Sequence, residues 1–210
     1  MSLVNELQEV AESQDILTVL RKAKRVCGKL NRNDILDWIK SEMEGYEGEV
    51  PKYRQVECLL YFHGEGIPAG WGFVKSGMFP VHNFPSISLP VRCSLVSFHE
   101  AVTSKQQLYL PTSQEIKNVL VSNLSYEELQ RTMLYMHVPD VEVKRILQAV
   151  RDVVLDWAIK LEQEGVLGEG HSFTDDEKEK AARVQIILGD NAVVGAIGQG
   201  STGDATVSEV

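Results

Sequence analysis

Apolar residues recur at helical spacing from the start of the chain to Gly45. Leu3, Val4, Leu7 and Val10 share one side, with Glu6, Glu9 and Glu12 opposite, which predicts an amphipathic helix. A second helix is predicted over about Ile16 to Leu30. Leu17, Leu20, Ala23, Val26 and Leu30 form its stripe, and Arg21, Lys22, Lys24, Arg25 and Lys29 fill its other faces. Asp34 is placed to cap a third helix carrying Ile35, Leu36, Trp38, Ile39 and Met43. Gly45 is placed to end it in a left-handed cap.

From Val50 the pattern changes. Six of the seven prolines, from Pro51 to Pro111, fall in the next stretch, so long helices are not expected there. "QVECLLYFHG" predicts a strand from about Gln55 to His63, and "GWGFVKSG", "SISLPVRC" and "QQLYLP" are weaker extended segments. A capping box at Ser97 and Glu100 predicts a short helix. Ser113 opens an amphipathic segment through Val121, and Ser125 with Glu128 forms a second box. "TMLYMHV" alternates and favours a strand, with a continued helix as the alternative. Asp140 is placed to cap the longest helix, from about Val141 to Gly165. Val143, Ile146, Leu147, Val150, Val153, Val154, Trp157 and Leu161 lie along its broad apolar face. A last short helix has Thr174 as N-cap, Asp175, Asp176 and Glu177 in its first turn, and Arg183 near its end. Acids there face the positive helix terminus.

The segment after Arg183 has no Lys, Arg or aromatic residue. Two apolar runs, Val184 to Leu188 and Ala192 to Ile197, flank "GDN", a turn signal. A lone hairpin is marginal in water. "VQIILG" also offers an uncharged edge of high β-propensity. It therefore needs a partner: its own domain's sheet, the same segment of another subunit, or a separate protein. Past Gln199 the Gly, Ser and Thr content argues for a flexible tail instead.

Composition narrows the function classes. The 210 residues are 43% hydrophobic and 24% charged, an ordinary globular balance. A net charge of −9 argues against broad duplex binding, which needs clustered Lys and Arg. Cys27, Cys58 and Cys93 are odd in number and lack CxxC spacing, so they are expected to be reduced thiols. The chain opens without a signal-peptide pattern and holds no apolar run of about 20 residues. A cytoplasmic protein is expected.

The stretch "LRKAKRVCGKLNRNDILDWIKSEMEGYEGEVPKYR" resembles the opening motif of the AbiTii domain family. That motif is a basic helix, then a Trp-containing helix ending in Glu-x-x-Gly-Tyr, then Pro-x-Tyr-Arg. "ILQAVRDVVLDWAIKLEQEGVLGEGHSFTDDEKEKA" is similar to the family's closing region. The resemblance spans about Leu3 to Ala182 and is weak from Gln55 to Pro111. It implies a setting in bacterial abortive-infection and phage-conflict loci. It brings no catalytic residue set.

Each candidate chemistry has a plainer competitor. Tyr46, Tyr53 and Arg54 could form an aromatic and guanidinium pocket for a nucleotide or phosphate. The reading favoured here is structural: Pro51 fixes a turn, the tyrosines pack over the helix end, and Arg54 pairs with Glu42, Glu44 or a helix terminus. "RKAKR" could meet nucleic acid or an acidic partner. A solvated face paired with Glu6, Glu9, Glu12 and Glu42 is preferred. The five histidines, His63, His82, His99, His137 and His171, are scattered singly. "GEGIPAGWG" and "GVLGEG" lack phosphate-loop spacing and read as loops. Asp175, Asp176 and Glu177 need no metal to explain them.

The expected fold is α+β: N-terminal helices, a small mostly antiparallel sheet in a proline-broken centre, a long C-terminal helix and a Gly-rich β-like tail. Residues 1–183 form one domain and 184–210 a strand-forming tail. The leading function is a non-enzymatic interaction or sensor module of antiviral defence, without cofactor or metal. Its partner is another copy, through Val184, Ile186, Leu188, Val193, Val194 and Ile197, or a protein encoded nearby. The alternatives are a nucleotide receptor, or an enzyme acting on nucleic acid or nucleotides through the Tyr53 and Arg54 region.

Overall fold

The computed structural model describes residues 2–64, 68–69, 72–73, 77–80, 87–112, 133–188 and 193–194. Three helices open the chain: α1 (Leu3–Ser13), α2 (Ile16–Leu30) and α3 (Asn33–Glu44). The Ser2 hydroxyl accepts from the Asn5 N–H at 3.1 Å, and Asp15 accepts from Leu17 and Thr18 at 3.0 and 3.1 Å. These side chains satisfy donors that a helix start leaves open. The buried residues of α1 and α2 include Leu3, Leu7, Leu20, Ala23 and Val26, as the periodicity requires.

The start of α3 departs from expectation. Arg32, not Asp34, precedes the helix, and no side chain caps it. Asp34 lies within the first turn and accepts from Arg32 Nε and Nη2 at 2.9 and 2.7 Å. The guanidinium is buried and also donates to the Ala181 and Val184 carbonyls. The carboxylate thus serves a buried cation rather than open backbone donors.

α3 stops at Gly45, whose φ of +107° and ψ of 165° lie outside the expected left-handed helical region. This is still backbone that glycine alone enters readily. A Cβ there would lie 2.8 Å from the Arg92 carbonyl oxygen. That same oxygen accepts from the Tyr46 N–H at 2.9 Å, so the end of α3 is sewn to the segment before the next helix.

A short 3-10 turn at Lys52–Arg54 leads into β1 (Gln55–Gly64). β2 (Pro68–Ala69) and β3 (Gly72–Phe73) pair with each other; β4 (Gly77–Pro80) and β5 (Ile87–Pro90) both pair with β1. After α4 (Leu95–Thr103) come β6 (Leu108–Pro111) and β7 (Met133–Val138). Among the described residues the main sheet has five strands. It runs β4–β1–β7–β6, with β5 along the first half of β1, and every pairing is antiparallel. "TMLYMHV" is therefore a strand. Val56, Cys58 and Val138 point into the core while Glu57 and Leu59 are exposed, the period-two alternation of a half-buried sheet.

α4 begins one turn earlier than expected. Ser94 is its N-cap, accepting from the Ser97 N–H at 3.2 Å. Leu95 and Phe98 are both buried, and the longer helix is what brings Leu95 into the core. α5 (Asp140–Gln163) crosses the helical layer and packs on α1, α2 and α4. Pro139 rather than Asp140 takes its cap position. α6 (Asp175–Arg183) has the expected Thr174 cap with a full capping box to Glu177. β8 (Ile186–Ile187) and β9 (Val193–Val194) pair antiparallel across the "GDN" turn signal. The expected helix from Ser113 and the box at Ser125 and Glu128 lie outside the described residues.

The class is α+β, as the sequence predicts. Among the described residues, no helix is long and apolar enough to cross a membrane.

Candidate functional site

The residues of "MEGYEGEVPKYR" converge where α3 meets the sheet. Glu42, on the last turn of α3, shares its inner face with Ile35, Trp38 and Ile39, all buried. Pro51 sets the 3-10 turn, which swings Tyr53 and Arg54 back towards that face. Glu42 and Arg54 are each 0% exposed. Arg54 Nη2 donates to Glu42 Oε2 at 2.5 Å, and Nε reaches both carboxylate oxygens at 3.2 and 3.3 Å. Nη1 donates to the Val91 and Cys93 carbonyls at 3.2 and 2.7 Å.

The phenols of Tyr46 and Tyr53 both donate to Glu42 Oε1 at 2.5 Å. Trp38 Nε1 donates to the Tyr53 oxygen at 3.0 Å. The guanidinium carbon sits 4.9 Å from the Tyr46 ring centre and 5.3 Å from that of Phe98, within cation–π range. A charge pair removed from water is tolerable only with its remaining donors and acceptors occupied, and this cluster meets that condition.

The electrostatics follow from burial. Burial, then the Glu42 charge, pushes the phenols of Tyr46 and Tyr53 well above the ordinary tyrosine value. They remain proton donors to the carboxylate. Burial also pushes the Cys58 and Cys93 thiols up to about 11, and raises Cys27. None of the three is poised as a thiolate at neutral pH.

The fold thus brings Tyr46, Tyr53 and Arg54 together, around a carboxylate that was only one of several possible partners for Arg54. Glu42 is the member the sequence reading did not single out. Its signal was available: a glutamate in step with Ile35, Trp38 and Ile39 on the apolar stripe, four residues before Tyr46.

On the outer face of the sheet, His137 packs against the rings of Tyr61 and Tyr109 at 5.3 and 5.2 Å. Both of its ring nitrogens are buried with no hydrogen-bond partner among the described residues. Desolvation holds its pKa below the ordinary histidine value. Among the described residues, no group of three His, Cys, Asp or Glu side chains could hold a metal ion.

The root of the tail is built into the core. Val184, Ile186 and Leu188 are buried, whereas Ile187 is 51% exposed. Ile186 and Ile187 border a depression of about 390 Å³ whose other walls include Tyr53, Asp156, Trp157 and Lys160. Val193 and Val194 form the backbone of β9. Ile197 lies outside the described residues.

These features define an α+β domain whose opening motif closes as one buried polar hub between helices and sheet. The AbiTii family model matches residues 2–186, and the chain belongs to the AbiTii family. The match extends through Val184 and Ile186, so it includes the core-packed root of the tail. Comparison with curated proteins and with solved structures gives no match. The family name associates the chain with an abortive-infection-related role.

Proposed function

We propose that the chain is a non-enzymatic interaction or sensor module of an abortive-infection system that self-associates partly through Val184 to Ile197. The observation that carries this reading is the split character of β8. Ile186 is anchored in the core beside α5, while Ile187 is exposed and the two-residue strand pairs, among the described residues, only with β9. An edge held firmly at its root and open outward can add a strand from another chain. A rigid root also lowers the ordering cost of such a contact.

Light scattering after size exclusion tests this on the full chain, on Ile187→Lys and on a chain ending at Leu188. The expected result is a mass above monomer for the full chain and a lower mass for both variants. A monomeric full chain, or a mass that neither change alters, overturns the reading.

The alternative of a nucleotide receptor or nucleic-acid enzyme built on Tyr53 and Arg54 draws less support. Arg54 has no exposed surface, and its Nε, Nη1 and Nη2 are engaged by Glu42, Val91 and Cys93. A thermal-shift panel of nucleotides would favour the alternative if any member raised the melting temperature.

A further inference from the structure

Two oppositely charged faces lie on the surface, the acidic one bordering the hub at Tyr46. Arg21, Lys24 and Arg25 form an exposed stripe on α2, and among the described residues none of them makes an ion pair. Lys22, within the same run, is engaged by Glu6, so the expected salt-paired face is realised at one residue only. Gly28 continues the stripe, three residues past Arg25 and four past Lys24, and so on the same side. A glycine within a helix is less favourable than alanine. Nothing in the fold requires it there, because a Cβ would meet no atom within 4 Å. Its effect is to leave a shallow seat beside the three cations.

The second face is an open groove of about 900 Å³ between α3 and the loop after Gly45. Asp37, Glu44, Glu47 and Glu49 line it, against Lys40 and Arg92. All four acids are exposed. Arg92 is turned to the Gly48 carbonyl at 3.0 Å. Glu44, Glu47 and Glu49 make no ion pair among the described residues.

We infer that these faces belong to one contact: the Arg21–Lys24–Arg25 stripe of one copy docks in the Glu44–Glu47–Glu49 groove of a second copy. The inference rests on the proposed self-association and adds a second, electrostatic interface to the tail. Charge complementarity selects the occupant. A chain of net charge −9 repels a nucleic-acid backbone as a whole, and three cations are few for phosphate binding. It does carry an acidic surface suited to its own basic stripe. If each pair of copies makes one such contact, the arrangement is head-to-tail and builds rings or filaments; if both stripe-to-groove contacts close across a two-fold axis, it gives a dimer. Gly28 lets the partner's backbone approach between the cations.

Reciprocal charge reversal tests it. Variant one is Arg21→Glu, Lys24→Glu and Arg25→Glu; variant two is Glu44→Lys, Glu47→Lys and Glu49→Lys. All six positions are exposed or unpaired, so circular dichroism melts should match the parent. Light scattering of the full chain should show association that weakens about tenfold or more between low and high salt, since exposed pairs are screened. Each variant alone places like charges on both faces and should show the same loss at low salt. Mixed together, the two variants are complementary at both kinds of contact and should associate again.

Failure of the mixture to associate overturns the inference. So does association that ignores salt and both reversals but disappears on ending the chain at Leu188, a result that leaves the tail reading standing. A full chain that stays monomeric at low salt overturns both. If variant one changes no mass but abolishes gel-shift binding of a DNA or RNA duplex, the stripe serves a polyanion and the inference also falls.

Discussion

Removing the guanidinium from the hub is the sharpest probe of the fold. Arg54→Met keeps most of the side-chain volume and deletes the charge. Taking one partner from a fully buried ion pair typically costs about 3–5 kcal/mol, and two structural details rank the substitutions inside that range. Without Arg54, Glu42 still accepts from Tyr46 and Tyr53 at 2.5 Å each. That places Arg54→Met near the lower end, at about 3 kcal/mol. Without Glu42, the guanidinium keeps, as hydrogen-bond acceptors, only the Val91 and Cys93 carbonyls, and the buried Tyr53 and half-buried Tyr46 phenols lose their acceptor. Glu42→Leu therefore belongs near the upper end, at about 5 kcal/mol. A domain of this kind has about 5–15 kcal/mol in total, so Glu42→Leu should be partly unfolded at 37 °C.

Urea unfolding followed by circular dichroism measures each loss through the midpoint and slope. The double variant, Glu42→Leu with Arg54→Met, removes both charges and should cost less than the sum of the singles by about 2 kcal/mol or more. Additive singles would refute the reasoning, because they would mean that the two charges do not depend on each other. A cost for Arg54→Met below about 1 kcal/mol would refute it as well, since it would place the guanidinium in water.

Three further outcomes follow from the same geometry. Because the Tyr46 and Tyr53 pKa values lie above the unfolded value near 10, their contribution to stability is full below about pH 10 and falls as pH rises beyond it. The urea midpoint should drop above about pH 10, and Tyr46→Phe with Tyr53→Phe should flatten that drop; equal slopes would contradict it. For His137 the sign reverses: desolvation depresses its pKa, so its contribution is present above about 6.5 and is lost on acidification. His137→Phe should reduce the fall in melting temperature between about pH 6.5 and 5, and an unchanged fall would show the ring to be hydrated. Glu177 accepts from the backbone N–H groups of Leu167, Gly168 and Thr174 at 2.8–2.9 Å, and Leu167 and Gly168 in turn receive the start of α1. Glu177→Ala should cost about 1–2 kcal/mol and speed hydrogen exchange at the Leu3 and Val4 amides; protection unchanged at both would sink the link.

What was legible in the sequence was local. The bounds of α2 follow from its apolar period and the start of α6 from its cap at Thr174; the Asp15 cap of α2 was missed. The strand at Gln55 and the alternation at Met133–Val138 were legible for the same reason. Three N-caps were misplaced, at Asp34, Ser97 and Asp140, and distant parts of the chain decide the first two. Asp34 is claimed by Arg32, which is held by carbonyls of Ala181 and Val184. Ser94 replaces Ser97 because Leu95 has a core to enter. The strand order β4–β1–β7–β6 joins segments far apart in the chain, which no local pattern encodes. Of the candidate site, the three members Tyr46, Tyr53 and Arg54 were legible as residue types. Glu42 was legible as one of the partners named for Arg54, and its place on the apolar stripe would have selected it from the others.

The opening motif divides by direction. Glu42, Tyr53 and Arg54 face inward and hold α3 to the sheet, Tyr46 is half-buried at the border, and Glu44, Glu47 and Glu49 face water. Gly45 is the pivot: its positive φ turns the chain so that the inward set closes on Glu42 and the outward set lines a groove. A merely structural motif has no need of three unpaired acids on its outer side, where substitutions are usually near neutral for stability. A merely adhesive one has no need of a buried ion pair, which stabilises little compared with apolar packing and adds specificity at best. The two halves therefore carry separable loads. Changes at the inward residues should move the unfolding midpoint, and changes at the outward residues should move association at constant midpoint. An outward triple substitution that lowers the midpoint as much as Arg54→Met would show that the division by direction is not a division by role.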